Sequence, residues 1–376
     1  MKVQILQENL NKGLTIASRT ISTKTQLPIL ANVLLKTDQN RLQISATNLE
    51  TGVILWLGAK IEKEGEITIP AKILTEVISS LPTGKIDLEL KENSLNISSD
   101  GYQASFNGIP ASEFPKLPTF SSENLFSFPS GQLLEAINQV AFAAATDEGR
   151  PVLTGVLFIL EGKMLSLVAT DGYRLSIKTL PLQTPVKEKV SLLLPAKALM
   201  EVARIIADVK GGEEKVFQMG LTKEKNQVVF VFPELALFSR VIEGEFPDYE
   251  KIIPQGTKTK IILDREGFSQ VVKVVSIFAR DSANIIKFKI GNNSLEMSAN
   301  SPQVGENKSL LEAKLEGEEG EIAFNYRFLQ NLLAAISSQE VSFEMFGSLN
   351  PGIFKPVGDN SFLHIIMPVR LQTEEK

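Results

Sequence analysis

One pattern recurs three times along this chain, and any fold that accepts it must be assembled from three like units. The segments "ISATNLETGVIL" (44–55), "LVATDGYRLSIK" (167–178) and "EMSANSPQVGEN" (296–307) each read as strand, polar turn and strand, around Ala-Thr-Asn, Ala-Thr-Asp or Ser-Ala-Asn. A second set follows them: "EITIPAKILTEVISSL" (66–81), "SLLLPAKALMEVARII" (191–206) and "EIAFNYRFLQNLLAAI" (321–336). Ala71 and Ala196, in the two Pro-Ala-Lys runs, lie 125 residues apart, and Lys197 and Arg327 lie 130 apart. Strands open with "LPILANVLL", "RPVLTGVLF" and "ANIIKFKI", while "EFPKLP" (113–118) and "EFPDYEKIIP" (245–254) close the first two copies. Three copies account for all 376 residues, with domains expected at 1–122, 123–254 and 255–376.

Each copy has the order helix, strands, helix, strands. Helical spacing marks the first helices at Leu10, Leu14, Ala17 and Ile21, at Leu134, Ile137, Ala141 and Ala144, and at Phe268, Val271, Val275 and Phe278. The second helices show it at Leu74, Val77, Ile78 and Leu81, at Leu199, Val202, Ile206 and Val209, and at Leu329, Leu332, Leu333 and Ile336. The spacing predicts helices over 7–24, 71–81, 130–146, 195–210, 264–280 and 325–337. Pro70 and Pro195 fall at helix starts, where a missing amide hydrogen costs nothing. Alternating runs such as "KIDLELKENSLNISSD" supply antiparallel strands between helices. The expected fold class is α+β: three tandem units, each with two helices packed on antiparallel sheet.

Composition removes several chemistries. The chain has no cysteine, so disulfides and thiolate-bound metals are excluded, and His364 is its only histidine. Neither a phosphate-loop motif nor a dinucleotide-binding glycine motif is present. Acidic pairs such as Glu213-Glu214 and Glu318-Glu319 sit beside glycines, as solvated turn charges do. No apolar run reaches the length of a membrane span, and the N-terminus lacks a signal-peptide layout. The reading is a cytoplasmic protein that is not an enzyme and needs no cofactor or metal.

The net charge is −5, yet the six predicted helices together carry +4 and everything else −9. Lys12 and Arg19 are seven residues apart on one helix face, and Lys273 and Arg280 repeat that spacing. Lys72, Lys197 and Arg327 recur at the start of all three second helices, and Arg204 adds a further base. Charged outer faces are ordinary on amphipathic helices. Recurrence at equivalent repeat positions points instead to a surface that faces a polyanion.

Taken together, the threefold repeat, "LPILANVLL", "ATDGYRLS", "EFPDYEKIIP" and "IIMPVRL" resemble the bacterial DNA polymerase III beta subunit family, the sliding clamps. The likeness spans the whole chain in the right order. It implies a head-to-tail homodimeric ring around double-stranded DNA, with helices lining the hole and sheets forming the wall. It also implies a hydrophobic cleft where partners insert a short peptide: the polymerase III catalytic subunit, the clamp loader, and other polymerases and repair proteins. Carried over residue by residue, that cleft comprises Leu153, Thr170, Gly172, Tyr173, Arg174, Leu175, Pro247, Ile252, Ile365, Met367, Pro368, Val369 and Arg370. Thr170 and Arg174 are expected to offer polar groups at its rim, with Leu175 on the floor. The resemblance adds Lys24 and Arg150 to the DNA-facing set and puts Ile277 and Phe278 at the dimer contact.

This sequence departs from the family at three points. Tyr173 stands where a histidine often occurs, Val369 where a methionine is common, and Lys251 where the family pattern "FPDYRR" has an arginine. The closing "QTEEK" reads as a disordered tail. Two rival functions share these features: a clamp-like paralogue acting as a decoy or resistance factor, and an enzyme using Asp171 and Arg174 catalytically.

Overall fold

The structure, a computed structural model, describes residues 1–21, 27–118, 125–208, 216–222 and 226–370. Lys24, Val209 and the 372–376 tail lie outside the described residues. All six predicted helices form: α1 (Gln7–Thr20), α2 (Ala71–Ser80), α3 (Ser130–Val140), α4 (Ala196–Asp208), α5 (Arg265–Ala279) and α6 (Tyr326–Ala335). Each first helix is preceded by a short strand, Lys2–Leu6, Leu125–Pro129 or Thr259–Asp264. Pro70 and Pro195 each end a strand and hand the chain directly to a helix. In the third repeat, side-chain caps do this work: Asp264 accepts from the Gly267 amide and Asn325 from the Arg327 amide.

Helix phase repeats more strictly than the sequence spacing suggests. The fourth, eighth and eleventh residues are buried in every first helix: Leu10, Leu14 and Ala17; Leu133, Ile137 and Val140; Phe268, Val272 and Val275. Leu134 and Val271, expected in the core, are only partly buried. Adjacent apolar residues make the phase ambiguous by one position, and packing resolves it. A two-residue shift affects the third turn. Thr47 pairs with Gly52 and Thr170 with Leu175 across the first two turns, and Ser301 pairs with Gly305 across the third. Ser301, not Ala299, therefore corresponds to the two threonines.

Contacts divide the chain into two compact units, Met1–Gly131 with Arg204–Val241, and Gln132–Ala203 with Ile242–Lys376. Unit 1 holds an eight-stranded antiparallel sheet in the order Leu125–Pro129, Val216–Leu221, Gln227–Phe232, Leu235–Arg240, Thr51–Gly58, Arg41–Thr47, Asn32–Asp38, Glu66–Pro70. Its second sheet, of five strands, runs Lys60–Lys63, Lys2–Leu6, Lys85–Lys91, Ser94–Ser99, Tyr102–Asn107. Unit 2 holds nine strands in the order Val190–Pro195, Gly155–Glu161, Met164–Thr170, Arg174–Pro181, Phe362–Ile366, Gly352–Pro356, Glu340–Met345, Thr259–Asp264, Lys314–Gly317. Its four-stranded sheet runs Gly305–Glu312, Ser294–Ser301, Ile285–Gly291, Gly320–Asn325.

The units cut across the repeats because two sheets run continuously through repeat boundaries. Leu235–Arg240 of the second repeat pairs with Thr51–Gly58 of the first, and Arg174–Pro181 pairs with Phe362–Ile366 of the third. Each such seam joins strands more than a hundred residues apart in sequence, so side chains rather than a turn must hold it.

Candidate functional site

The turn at 170–174 spends its polar groups on itself. The Thr170 hydroxyl donates to the Arg174 carbonyl at 2.6 Å and accepts from the Gly172 amide at 3.0 Å. Asp171 Oδ1 accepts from the amides of Tyr173 and Arg174, at 2.9 and 3.0 Å. Gly172 has a φ of +91°, which favours glycine. The first repeat builds the same device: Thr47 donates to the Thr51 carbonyl, and Asn48 accepts from the amides of Glu50 and Thr51. Thr170 is 3% exposed, so its hydroxyl is a turn brace and not a rim group.

Arg174 also departs from the expected rim position. Its side chain is 10% exposed. Nε donates to Asp171 Oδ2 at 3.0 Å, Nη1 to Asn331 Oδ1 at 2.7 Å and Nη2 to the Phe142 carbonyl at 2.6 Å. The guanidinium stacks on the rings of Phe142 and Phe328, with centroids at 5.3 and 4.8 Å. Burial lowers its pKa below the ordinary arginine value, and Asp171 opposes that shift. It is a strut linking the turn, the segment after α3, and α6. Asp171 and Arg174 are thus committed to each other and to the backbone, which removes them as a catalytic pair.

An apolar cluster lies on the other face of the Arg174–Pro181 strand. Val168, Leu175, Ile353 and Ile365 are its buried members, and Leu157, Ile177, Phe246, Tyr249, Ile253 and Leu363 pack against it half-buried. Leu175 and Ile365 were expected here and face each other in register. Ile252 is half-buried and Pro247 exposed, both within the 246–253 segment whose Phe246, Tyr249 and Ile253 pack on the cluster. At the strand end, Tyr173 is 62% and Met367 37% exposed. The Met367 amide donates to the Tyr173 carbonyl at 2.8 Å. Pro368 and Val369 are half-buried, Val369 donates its amide to the Ala323 carbonyl, and Arg370 is exposed. Leu153 is buried but is not part of this cluster. Period-two alternation with Leu175 and Ile365 carries the signal for Ile177 and Leu363. Phe246 and Tyr249 sit in a segment with no such period. Lys251 is exposed and pairs with Asp248 at 2.7 Å.

Three family profiles match the chain in order: DNA polymerase III beta subunit N-terminal domain over 1–118, central domain over 127–248, and C-terminal domain over 250–370. The chain belongs to the DNA polymerase III beta subunit family. It is 31% identical to the beta sliding clamp of Synechocystis over 99% of this chain and 100% of that one. The Synechococcus elongatus beta sliding clamp is 30% identical, again over 99% and 100%. Among crystal structures, the Bacillus subtilis DNA polymerase sliding clamp superposes with a TM-score of 0.93 at 27% identity, over 99% of both chains. The Thermotoga maritima DNA polymerase III beta subunit gives 0.91 at 31%, over 98% and 99%. Three tandem clamp domains are the fold of this chain.

In this clamp-family chain the expected DNA-facing bases differ in setting. Lys72, Lys197 and Arg327 are each the second residue of their helix and each exposed. Lys197 makes only a loose pair with Glu148 at 3.4 Å, both side chains being over 80% exposed. Lys12 and Arg19, by contrast, converge on Asp208: Arg19 Nη1 reaches its carboxylate at 2.9 Å, and Lys12 Nζ its carbonyl at 3.4 Å. Lys273 is the ninth residue of α5 whereas Lys12 is the sixth of α1, and Arg280 caps its helix. The seven-residue spacing recurs without recurring in place. Arg150 is exposed and reaches the Asp171 carbonyl at 3.4 Å, and Arg204 is exposed.

Of the two expected dimer-contact residues, Ile277 is 50% exposed while Phe278 packs partly against its own domain core. Val274, one turn before Ile277, is 39% exposed. The lone histidine is a core residue: His364 is fully buried, with Nδ1 2.7 Å from Ser176 Oγ. A buried Ser–His contact without access for substrate is packing, not a nucleophile pair. Among the described residues, no group of three or more His, Cys, Asp or Glu side chains gathers as a metal site, and no helix is long and apolar enough to cross a membrane.

Proposed function

We propose that this chain is a DNA sliding clamp, a cytoplasmic, non-enzymatic processivity factor. Two copies close head to tail into a ring on duplex DNA, with domains 1–122, 123–254 and 255–376 in each. The observation that carries this reading is the match of three clamp domains, in order, over residues 1–370. Exposed bases at the second position of α2, α4 and α6 support a polyanion-facing side. The apolar cluster around Leu175 and Ile365, with Tyr173 and Met367 exposed at its end, supports a peptide cleft for the polymerase and other partners. Exposed Ile277 and Val274 support a dimer contact on α5. Holding the polymerase beside its primer end raises its effective concentration and makes synthesis processive.

The test is product length on a primed single-stranded circle. The cognate polymerase and clamp loader should make long products in a single binding event when this protein is present, and short ones without it. Unchanged product length would overturn the proposal, and inhibition of synthesis would favour the decoy reading.

A further inference from the structure

The Arg174–Pro181 strand has two unlike faces. Leu175 and Ile177 join the cleft's apolar cluster, and alternation sends Arg174, Ser176 and Lys178 to the opposite side. There Lys178 Nζ reaches Asp359 Oδ2 at 2.9 Å and Glu135 Oε1 at 3.3 Å, with its side chain only 5% exposed. Gln139 donates to the same Glu135 oxygen at 2.9 Å. Asp359 is held further by the amide of Ser361 at 2.7 Å and by its hydroxyl. Ser176 faces His364 in register, one step closer to the cleft turn.

The corresponding seam of unit 1 is hydrocarbon. Val53 and Leu55 stand where Ser176 and Lys178 stand, paired with Leu237 and Leu235, and all four are buried. The fold therefore tolerates an apolar seam, and burying a lysine instead carries a desolvation cost. What the ion pairs supply is register. An apolar seam that slips by two residues still sets hydrocarbon against hydrocarbon. A polar seam that slips strands Lys178 away from Asp359 and Ser176 away from His364, leaving buried groups unpaired. Register matters in unit 2 because Tyr173 and Met367, 194 residues apart in sequence, must meet at the end of the same two strands.

We propose that Lys178, through Glu135 and Asp359, is a positioning residue for peptide binding: the ion pairs of its buried ammonium lock the seam in the register that sets Met367 beside Tyr173. The proposal rests on the reading of this face as the partner-peptide cleft. It goes beyond that reading by assigning a role to residues that do not line the cleft.

The test copies the unit 1 seam into unit 2. The triple variant Ser176→Val, Lys178→Leu, His364→Leu and the single variant Lys178→Met are compared with the parent in the full-length protein. Three readouts are taken: thermal midpoint, hydrogen exchange at the Met367 amide, and affinity for a labelled peptide carrying the clamp-binding segment of the cognate polymerase. The expected result is a midpoint held or raised, with peptide affinity down about tenfold and Met367 exchange faster by a similar factor. Should the triple variant not fold, the single variant decides on the same readouts. A folded variant with parental affinity and parental Met367 exchange would overturn the proposal. If the parent itself binds no peptide, the cleft reading falls, and the exchange rate alone still decides the register claim.

Discussion

The Met367 amide and the Tyr173 carbonyl meet at 2.8 Å, joining the third repeat to the second at the exposed end of one sheet. Everything that positions this contact lies behind it. Thr170 and Asp171 shape the turn, Arg174 ties it to Phe142 and Asn331, and the apolar cluster around Leu175 and Ile365 packs on the same two strands. The side chains left exposed at the contact itself are Tyr173 and Met367.

Met367 is accordingly the clean probe of the proposed cleft. Met367→Ala should weaken peptide binding by about 1–2 kcal/mol while leaving the thermal midpoint nearly unchanged, because the side chain is exposed and its loss opens no cavity. Leu175→Ala should behave differently. That side chain is 1% exposed, so truncation should cost about 2–4 kcal/mol of stability as well as affinity. Calorimetric titration beside thermal melts checks both; full affinity in Met367→Ala would remove this residue from the site.

Arg174→Lys should be far from conservative. A lysine cannot reach Asp171, Asn331 and the Phe142 carbonyl together, nor stack flat on Phe142 and Phe328. Losing this network should cost about 2–4 kcal/mol in urea unfolding. Peptide affinity should fall too, as the turn loosens. A stability within about 0.5 kcal/mol of the parent would show that the strut is dispensable.

How much of this was legible in the sequence differs by feature. The threefold plan, the six helices and the second-position bases Lys72, Lys197 and Arg327 follow from period and position, which local chemistry dictates. Helix phase at Leu133 and Val272 does not, since neighbouring apolar residues offer two stripes and only packing chooses. The roles of Thr170 and Arg174 were hidden for a different reason. A polar residue beside an Asp-Gly turn reads as exposed, and its partners Phe142 and Asn331 lie 32 and 157 residues away. Nor does spacing reveal that Lys12 and Arg19 meet Asp208, 189 residues beyond Arg19.

The buried histidine gives stability a pH dependence of definite sign. Burial first, and the Arg174 charge second, push the His364 pKa from 6.5 down to about 3. Between those values the unfolded chain binds a proton that the folded chain refuses. The stability contributed is therefore fully present above pH 6.5 and is lost as pH falls towards 3. From pH 6.5 to 5 the loss should be about 2 kcal/mol. His364→Gln, which cannot titrate, should flatten the slope by about one proton. Parallel pH profiles for variant and parent would count against a neutral buried imidazole.

Encirclement and ordinary electrostatic binding make opposite predictions about salt and DNA ends. A protein held by lysine and arginine contacts to phosphates loses affinity steeply as salt rises, because counterion release drives its binding. Here the net charge is −5, and Arg19, one of the bases expected to face DNA, already pairs with Asp208 at 2.9 Å. Direct affinity for duplex should therefore be weak. A closed ring threaded on a circle has no such dependence, since leaving requires opening the dimer or finding an end. Protein loaded onto nicked circular duplex should thus survive a moderate-salt wash for as long as the dimer holds. Cutting that circle once should release it promptly in the same buffer, as followed by gel filtration of labelled protein. Equal retention on circular and linear DNA, with one steep salt slope for both, would mean that the protein binds DNA by contact instead of enclosing it.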